Sequence, residues 1–347
     1  MKGLKDSEVI KKIARELGLK RFTDPEKAIR EFCVRKVEKI IAPFTEIMNL
    51  DALLEIVSSG LGVRFEEVND DEDISNLAET YAPQGELIFA DLSRHLDKMT
   101  DAVLISLKNT RMWKYVAVID CRGFKKTRAY FSKWHEVAHV LTESPQPALF
   151  RRTLKDSKAP EETLADRIAG DFAFYTPLFL PELLARTKAT KRLTFDIIEE
   201  LRKTVCPAAS REATIRGAIS RAPFPQVLVI ADYALKKEEE RTVSSLQQMD
   251  LFPEDGIPFE PKLRAVQVVS NLPAKQSGLQ IHRNMEVPEK SVITDAYWNV
   301  SCGPGTHENS ENLNWWKHSR GTLPNAVIEV EAMRIGKRVF ALISRSG

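Results

Sequence analysis

The sequence predicts an α+β chain of more than one domain, and three features predict it. Helical periodicity governs residues 7–43 and 50–59 and returns between residues 134 and 221. Short apolar runs of strand length lie among these helices. From Gln226 onward the composition shifts to strands, Val227 to Ala231, Ala265 to Val269, Gly278 to Arg283, and a hairpin of Ala326 to Met333 with Val339 to Ser344 across Gly336. At 347 residues the chain is too long for one ordinary domain. Four segments are expected: accessory helices at 1–43, a mixed helix-and-strand domain at 44–190, a helical segment at 191–223 and a C-terminal α/β or mostly β domain at 224–347.

In chain order, Val9 to Leu17 and Pro25 to Ile41 carry apolar residues at three- and four-residue steps and read as helices packed on the domain at 44–190. Leu50 to Ser59 reads as a helix ending at Gly60, and Gly62 to Val68 alternates like a half-buried strand. Glu86 to Ala90, Ala102 to Leu107 and Tyr115 to Ile119 read as strands of a small sheet. If Tyr115 to Ile119 borders a cleft, its free backbone groups can pair with an extended peptide; if both its edges are occupied, it cannot.

The run Trp134-His135-Glu136-Val137-Ala138-His139-Val140-Leu141 carries the chemistry. Helix positions i and i+4 share a face, so His135 and His139 can hold one metal ion, with Glu136 a residue further round to reach its water. The flanking residues are apolar, which predicts a buried helix. Two histidines satisfied by core hydrogen bonds, with Glu136 ion-paired, is the bland alternative.

A catalytic zinc takes three protein ligands and leaves one position for water. Pro160 with Glu161 and Glu162 marks the start of another helix. Within it Glu162 and Asp166 share a face with the small Ala165 and Ala169, which allow close approach to the first helix. Glu162 is therefore the expected third ligand, with Glu161 the fallback. Asp166, one turn along, is placed to accept the free ring N–H of a ligand histidine. Macrodipole compensation is the alternative reading of the two glutamates. The zinc site, the helix that bears it and the small sheet make residues 44–190 a zincin-like metallopeptidase domain, with Glu136 as catalytic base.

The order Arg128-x-x-Phe131-Ser132-x-x-His135-Glu136-x-x-His139, then Glu162-x-x-Ala165-Asp166-x-x-Ala169-x-x-Phe172-Ala173 near Pro177, resembles the ImmA/IrrE family of bacterial zinc metallopeptidases across roughly residues 45–220. Ala138 and Phe174-Tyr175-Thr176 depart from it, where members carry a glycine and a leucine-rich stretch. The resemblance implies Zn2+ on His135, His139 and Glu162, Glu136 as base, and a DNA-binding repressor as the protein substrate. It also implies a helix-turn-helix-like element behind the peptidase and a sensor-like, GAF-type domain at the C-terminus. Thr194 to Lys203 and Ser210 to Arg221 fit the former. Their Arg211, Arg216 and Arg221, with Glu212 among them, make only a modest phosphate footprint, so direct nucleic-acid binding is not favoured. A zinc-binding transcriptional regulator without hydrolysis, acting through that element or the last domain, is the competing reading.

Composition bounds the rest. A net charge of +2 gives no basic or acidic signature. No stretch approaches the ~18 apolar residues of a membrane span, and residues 1–8 lack a signal-peptide core, so a cytoplasmic protein is expected. Cys33, Cys121, Cys206 and Cys302 are widely spaced and read as reduced thiols. Tyr130 and Tyr175 lie near the motifs without a spacing argument for a role. Lys236 to Arg241, Leu251 to Pro261 and Ser301 to Asn314 read as loops, the last with His307 ahead of Trp315, Trp316 and His318.

Overall fold

Strands buried on both faces carry unbroken apolar runs, and Ala102–Ile105 and Val116–Ile119 do so at the centre of a four-stranded sheet. We describe residues 4–108, 113–142, 149–153, 159–248, 259–298, 305–318 and 321–345 from a computed structural model. The chain divides into two compact units, Met1–Phe179 with Arg202–Ser210, and Leu180–Leu201 with Arg211–Gly347. Among the described residues no helix is long and apolar enough to cross a membrane.

The first unit opens with α1 (Glu8–Glu16), α2 (Pro25–Ile41) and α3 (Leu50–Leu61). Asp24 and Asn49 cap α2 and α3, accepting from Lys27 N and Ala52 N. The sequence places the end of α3 at Gly60, but the helix runs on to Gly62, whose φ of 72° supplies the left-handed cap. Gly60 serves a different purpose. A Cβ there would lie 2.6 Å from Ile40 Cγ2, so glycine lets α3 close onto α2.

Next come β1 (Val63–Val68), α4 (Asp71–Tyr81), α5 (Leu92–His95), β2 (Thr100–Ser106), β3 (Tyr115–Asp120), α6 (Ala129–Leu141), β4 (Leu149–Thr153) and α7 (Pro160–Ala173). The sheet order is β1-β3-β2-β4, with β1 parallel to β3 and the other pairs antiparallel. Alternation sends Val103, Ile105, Val116 and Val118 to one face, covered by Ile74, Tyr81, Phe89 and Leu92. It sends Ala102, Leu104, Ala117 and Ile119 to the other, where Val140 of α6 joins them. β3 is internal, flanked by β1 and β2, so Tyr115 to Ile119 has no free edge for a peptide. Glu86 to Ala90 is no strand either: Leu87–Asp91 winds as a 3-10 helix. Phe89 and Leu92, three apart, turn inward while Leu87 stays 74% exposed, and Phe89 stacks on Tyr81 at 4.3 Å.

Two helices, α8 (Thr176–Thr187) and α9 (Phe195–Val205), contribute residues to both units. The second unit continues with α10 (Arg211–Arg221), β5 (Gln226–Ala234), α11 (Lys237–Gln248), β6 (Lys262–Ser270), α12 (Leu272–Gln276), α13 (Val292–Trp298), β7 (Thr306–Asn312), β8 (Lys317–His318), β9 (Gly321–Thr322), β10 (Val327–Ile335) and β11 (Arg338–Arg345). Its five-stranded sheet is antiparallel throughout, in the order β6-β5-β11-β10-β7. α13 and the segment Leu279–Val287 cover one face. α10 packs against β5 and β6 through Ile215, Ala218 and Ile219. Its arginines meet protein acceptors: Arg211 pairs with Glu199, Arg216 with Glu212 and Gln267, and Arg221 reaches Gly217 O.

Three expectations for this unit change. Gly278 to Arg283 is not a strand; Leu279 and Ile281 point into the core, and the positive φ of Gly278 and Asn284 breaks the extended run at both ends. Lys236 to Arg241 is not a loop, because Glu238, Glu239 and Glu240 at a helix start oppose the macrodipole and Glu239 accepts from Lys236 N at 2.7 Å. Thr306–Asn312 is an edge strand whose polar composition hides it from apolar patterning. Most of Leu251 to Pro261, as well as Cys302, lies outside the described residues.

Glu331 of β10 accepts a hydrogen bond from Phe195 N at 3.1 Å, at the start of α9. Burial, opposed by that bond and by Arg192 but reinforced by Glu308 and Asp196, pushes its carboxyl from 4.5 up to about 7. The folded state therefore holds a proton that the unfolded state has released between those values, and stability falls as pH rises through that window. Glu331→Gln should remove this slope: urea titrations at pH 5 and pH 8 should show wild type losing about 1–3 kcal/mol more than the variant. Parallel losses would show that Glu331 is not the group.

Candidate metal centre

Four contacts along α6 and α7 set the site. Tyr130 donates to Ala173 O at 2.7 Å. Trp134 stacks on Phe172 at 5.7 Å. His135 Nδ1 lies 2.9 Å from Asp166 Oδ1, and His139 Nε2 lies 3.3 Å from Glu162 Oε1. Partners descend α7 as residues ascend α6, so the helices are antiparallel and the contacts form a ladder. Ala165 and Ala169 are buried at the α7 face, where small side chains allow the approach.

α2 holds α7 from outside. Arg30 Nε and Nη2 donate to Asp171 at 2.6 and 2.7 Å, and Glu26 accepts from Arg167. No local signal announces this clamp, because Glu26 and Arg30, like Arg167 and Asp171, stand four apart on their own helices. Their charges are in fact complementary across the two helices. At the entry to α6, Lys125 donates to Asp97 O, Thr100 O and Asp120 Oδ2, fixing the turn that launches the helix. Asp120 sits below the usual carboxylate range because Arg122 and Lys125 outweigh its burial.

Among the described residues, His135, His139 and Glu162 form a group able to hold a metal ion. The two Nε2 atoms lie 3.1 Å apart, and His135 Nε2 lies 3.1 Å from Glu162 Oε2. A tetrahedral zinc with bonds near 2.05 Å requires ligand atoms about 3.3 Å apart, and the spacing found here fits it. The protonation chemistry fits as well. With Nδ1–H donating to Asp166, His135 presents the lone pair of Nε2 toward a carboxylate and a second imidazole. Three electron-pair donors at such distances repel unless a proton or a cation lies among them. Where protons rather than a cation lie among them, hydrogen bonds from His135 and His139 outweigh the burial that would raise the Glu162 carboxyl, and they hold it far below the usual carboxylate range.

The structure thus brings together His135, His139, Glu162 and Asp166, and leaves Glu161 out of the cluster. Glu136 is fully buried on α6 beside His135, whereas the Glu162 side chain retains 24% exposure and opens the site toward solvent. Tyr130 is committed to Ala173 O. Tyr175 lies against Phe172 in a groove between α2 and the end of α7. Neither tyrosine faces the cluster as an oxyanion donor. Burial pushes the Cys33 and Cys121 thiols up to about 12 and 11, so both stay protonated, poor ligands.

No protein-family model and no curated protein matches the sequence. Among solved structures, a Mycobacterium tuberculosis transcriptional regulator aligns with a TM-score of 0.42 at 11% identity, over 92% of this chain and 81% of that one. A likeness at that level carries no argument about fold or function.

Metal analysis of the purified protein should find about one zinc per chain. His139→Ala and Glu162→Ala should lose it, and Asp166→Asn should weaken zinc affinity by about 10–100-fold. Equal zinc content in all four proteins would place the metal elsewhere.

Proposed function

We propose that the first unit is a zinc-dependent endopeptidase of the ImmA/IrrE type, with a zincin-like domain and a specific protein, a DNA-binding repressor by resemblance, as its substrate. The observation that carries the reading is the convergence of His135, His139 and Glu162 on one point, with Glu136 on the same helix as the two histidines. A zinc ion bound there supplies Lewis acidity and lowers the pKa of a water from 15.7 toward about 7.

The protein's own residues do the remainder. Asp166 fixes the tautomer and orientation of His135, so the ring presents Nε2 and no other atom to the centre. Glu136, buried beside it, accepts the proton of the attacking water at its carboxylate and returns it to the departing amine. The surroundings of Glu136 exclude bulk water, which strengthens each of these electrostatic interactions. A substrate backbone needs an edge to pair with, and β3 has none. Among the described residues β4, which lies between α6 and α7 in the chain and pairs only with β2, offers one.

The second unit, built on an antiparallel sheet, fits the sensor-like role that the resemblance implies, by fold-level analogy. The arginines of α10 are engaged with protein acceptors, which supports a peptidase over direct DNA binding.

Glu136→Gln should retain zinc while cutting the rate of repressor cleavage by about 10²–10⁴-fold, read by gel-based cleavage of candidate repressors. Retained regulatory function in that variant would favour a non-catalytic zinc-binding regulator. Rapid digestion of unrelated unfolded proteins by the wild type would contradict the selective substrate.

A further inference from the structure

A guanidinium buried without a carboxylate beside it leaves a charge in surroundings that solvate it poorly. Among the described residues, Arg264 of β6 is such a group, only 3% exposed. Its Nε donates to Ala234 O and its Nη1 to Asn284 O, both at 3.2 Å, and both acceptors are neutral backbone carbonyls. The two carboxylates that strand pairing sets opposite it are drawn elsewhere. Asp232, its partner on β5, receives Arg338 at 3.2 Å, and Glu286, its bridge partner on the other side, receives Lys262 at 2.9 Å.

Arg264 lines a cavity of about 450 Å³ in the second unit. Lys236, Lys237, Arg283 and Lys317 share its wall, with His282. Among the described residues, only Glu238 and Glu286 stand against these five formal cations, the latter already paired with Lys262. Met285 provides an apolar surface at the same wall. The volume lies within the range of small-molecule sites, ~300–1,000 Å³.

We propose that this cavity binds a small metabolite through a phosphate group. A planar, buried guanidinium already oriented by two carbonyls presents its remaining N–H groups in a fixed fork, the geometry suited to phosphate oxygens. The surrounding lysines act as mobile point charges that a dianion satisfies better than a monoanion. The inference is independent of the metal centre, since none of its residues belongs to the first unit.

The test is thermal denaturation and calorimetric titration of the full chain with inorganic phosphate, with sodium chloride and acetate at matched ionic strength as controls. Saturable stabilisation by phosphate is expected, absent with chloride and weaker with acetate. The double variant Arg283→Gln/Lys317→Gln alters two exposed side chains and should raise the phosphate dissociation constant at least tenfold. Arg264→Gln should raise it further, and if that variant does not fold the double variant decides. Adenosine monophosphate should bind more tightly than phosphate if the metabolite is a nucleotide, and no more tightly if it is another phosphorylated compound. A non-saturable response, acetate equal to phosphate, or unchanged affinity in the double variant would overturn the proposal.

Discussion

The packing of α6 on α7 is the constraint on which the rest of the first unit depends. Two imidazoles and a carboxylate converge only because antiparallel helices approach closely across Ala165 and Ala169. The ladder from Tyr130–Ala173 through His135–Asp166 to His139–Glu162 then fixes which residues face each other. Electrostatics alone would separate three such donors, so the helix packing must hold them. The sheet supports α6 from one side through Val140, and α2 supports α7 through Arg30 and Glu26. A sliding of α7 by one turn would exchange Asp166 for Glu162 opposite the same histidine and dissolve the cluster.

Burial gives this arrangement its chemical character. His135 and Glu136 are wholly enclosed, while Glu162 keeps a path to solvent. Charge interactions are strong in such surroundings and reorganise little. The same principle applies in the second unit, where Arg264 is enclosed and, among the described residues, donates to neutral acceptors. The first cluster is rich in electron-pair donors, whereas around the buried Arg264 gather exposed cations, and the two chemistries are correspondingly opposite.

Much of the site could be read from sequence, because its residues sit at helical spacing on two adjacent helices. His135, Glu136 and His139 fall within a single turn and a half, and Pro160 announced the helix that carries Glu162. The contact that joins the helices was inferable only from the small residues at 165 and 169. What escaped had no local signal. The internal place of β3 depends on which strands pair with it, a choice made at a distance along the chain. The helical turn at Leu87–Asp91 and the polar strand β7 carry their information in burial by neighbours, not in alternation. The salt-bridged clamp of α2 on α7 joins residues 141 positions apart, and each half of it resembles an ordinary surface pair.

The most direct measurement of the central claim is the zinc K-edge X-ray absorption spectrum of the metal-loaded full chain. Nearest neighbours of nitrogen and oxygen only are expected, at about 2.0–2.2 Å, with scattering from two imidazole rings. Sulfur at about 2.3 Å, or a spectrum lacking imidazole scattering, would contradict it.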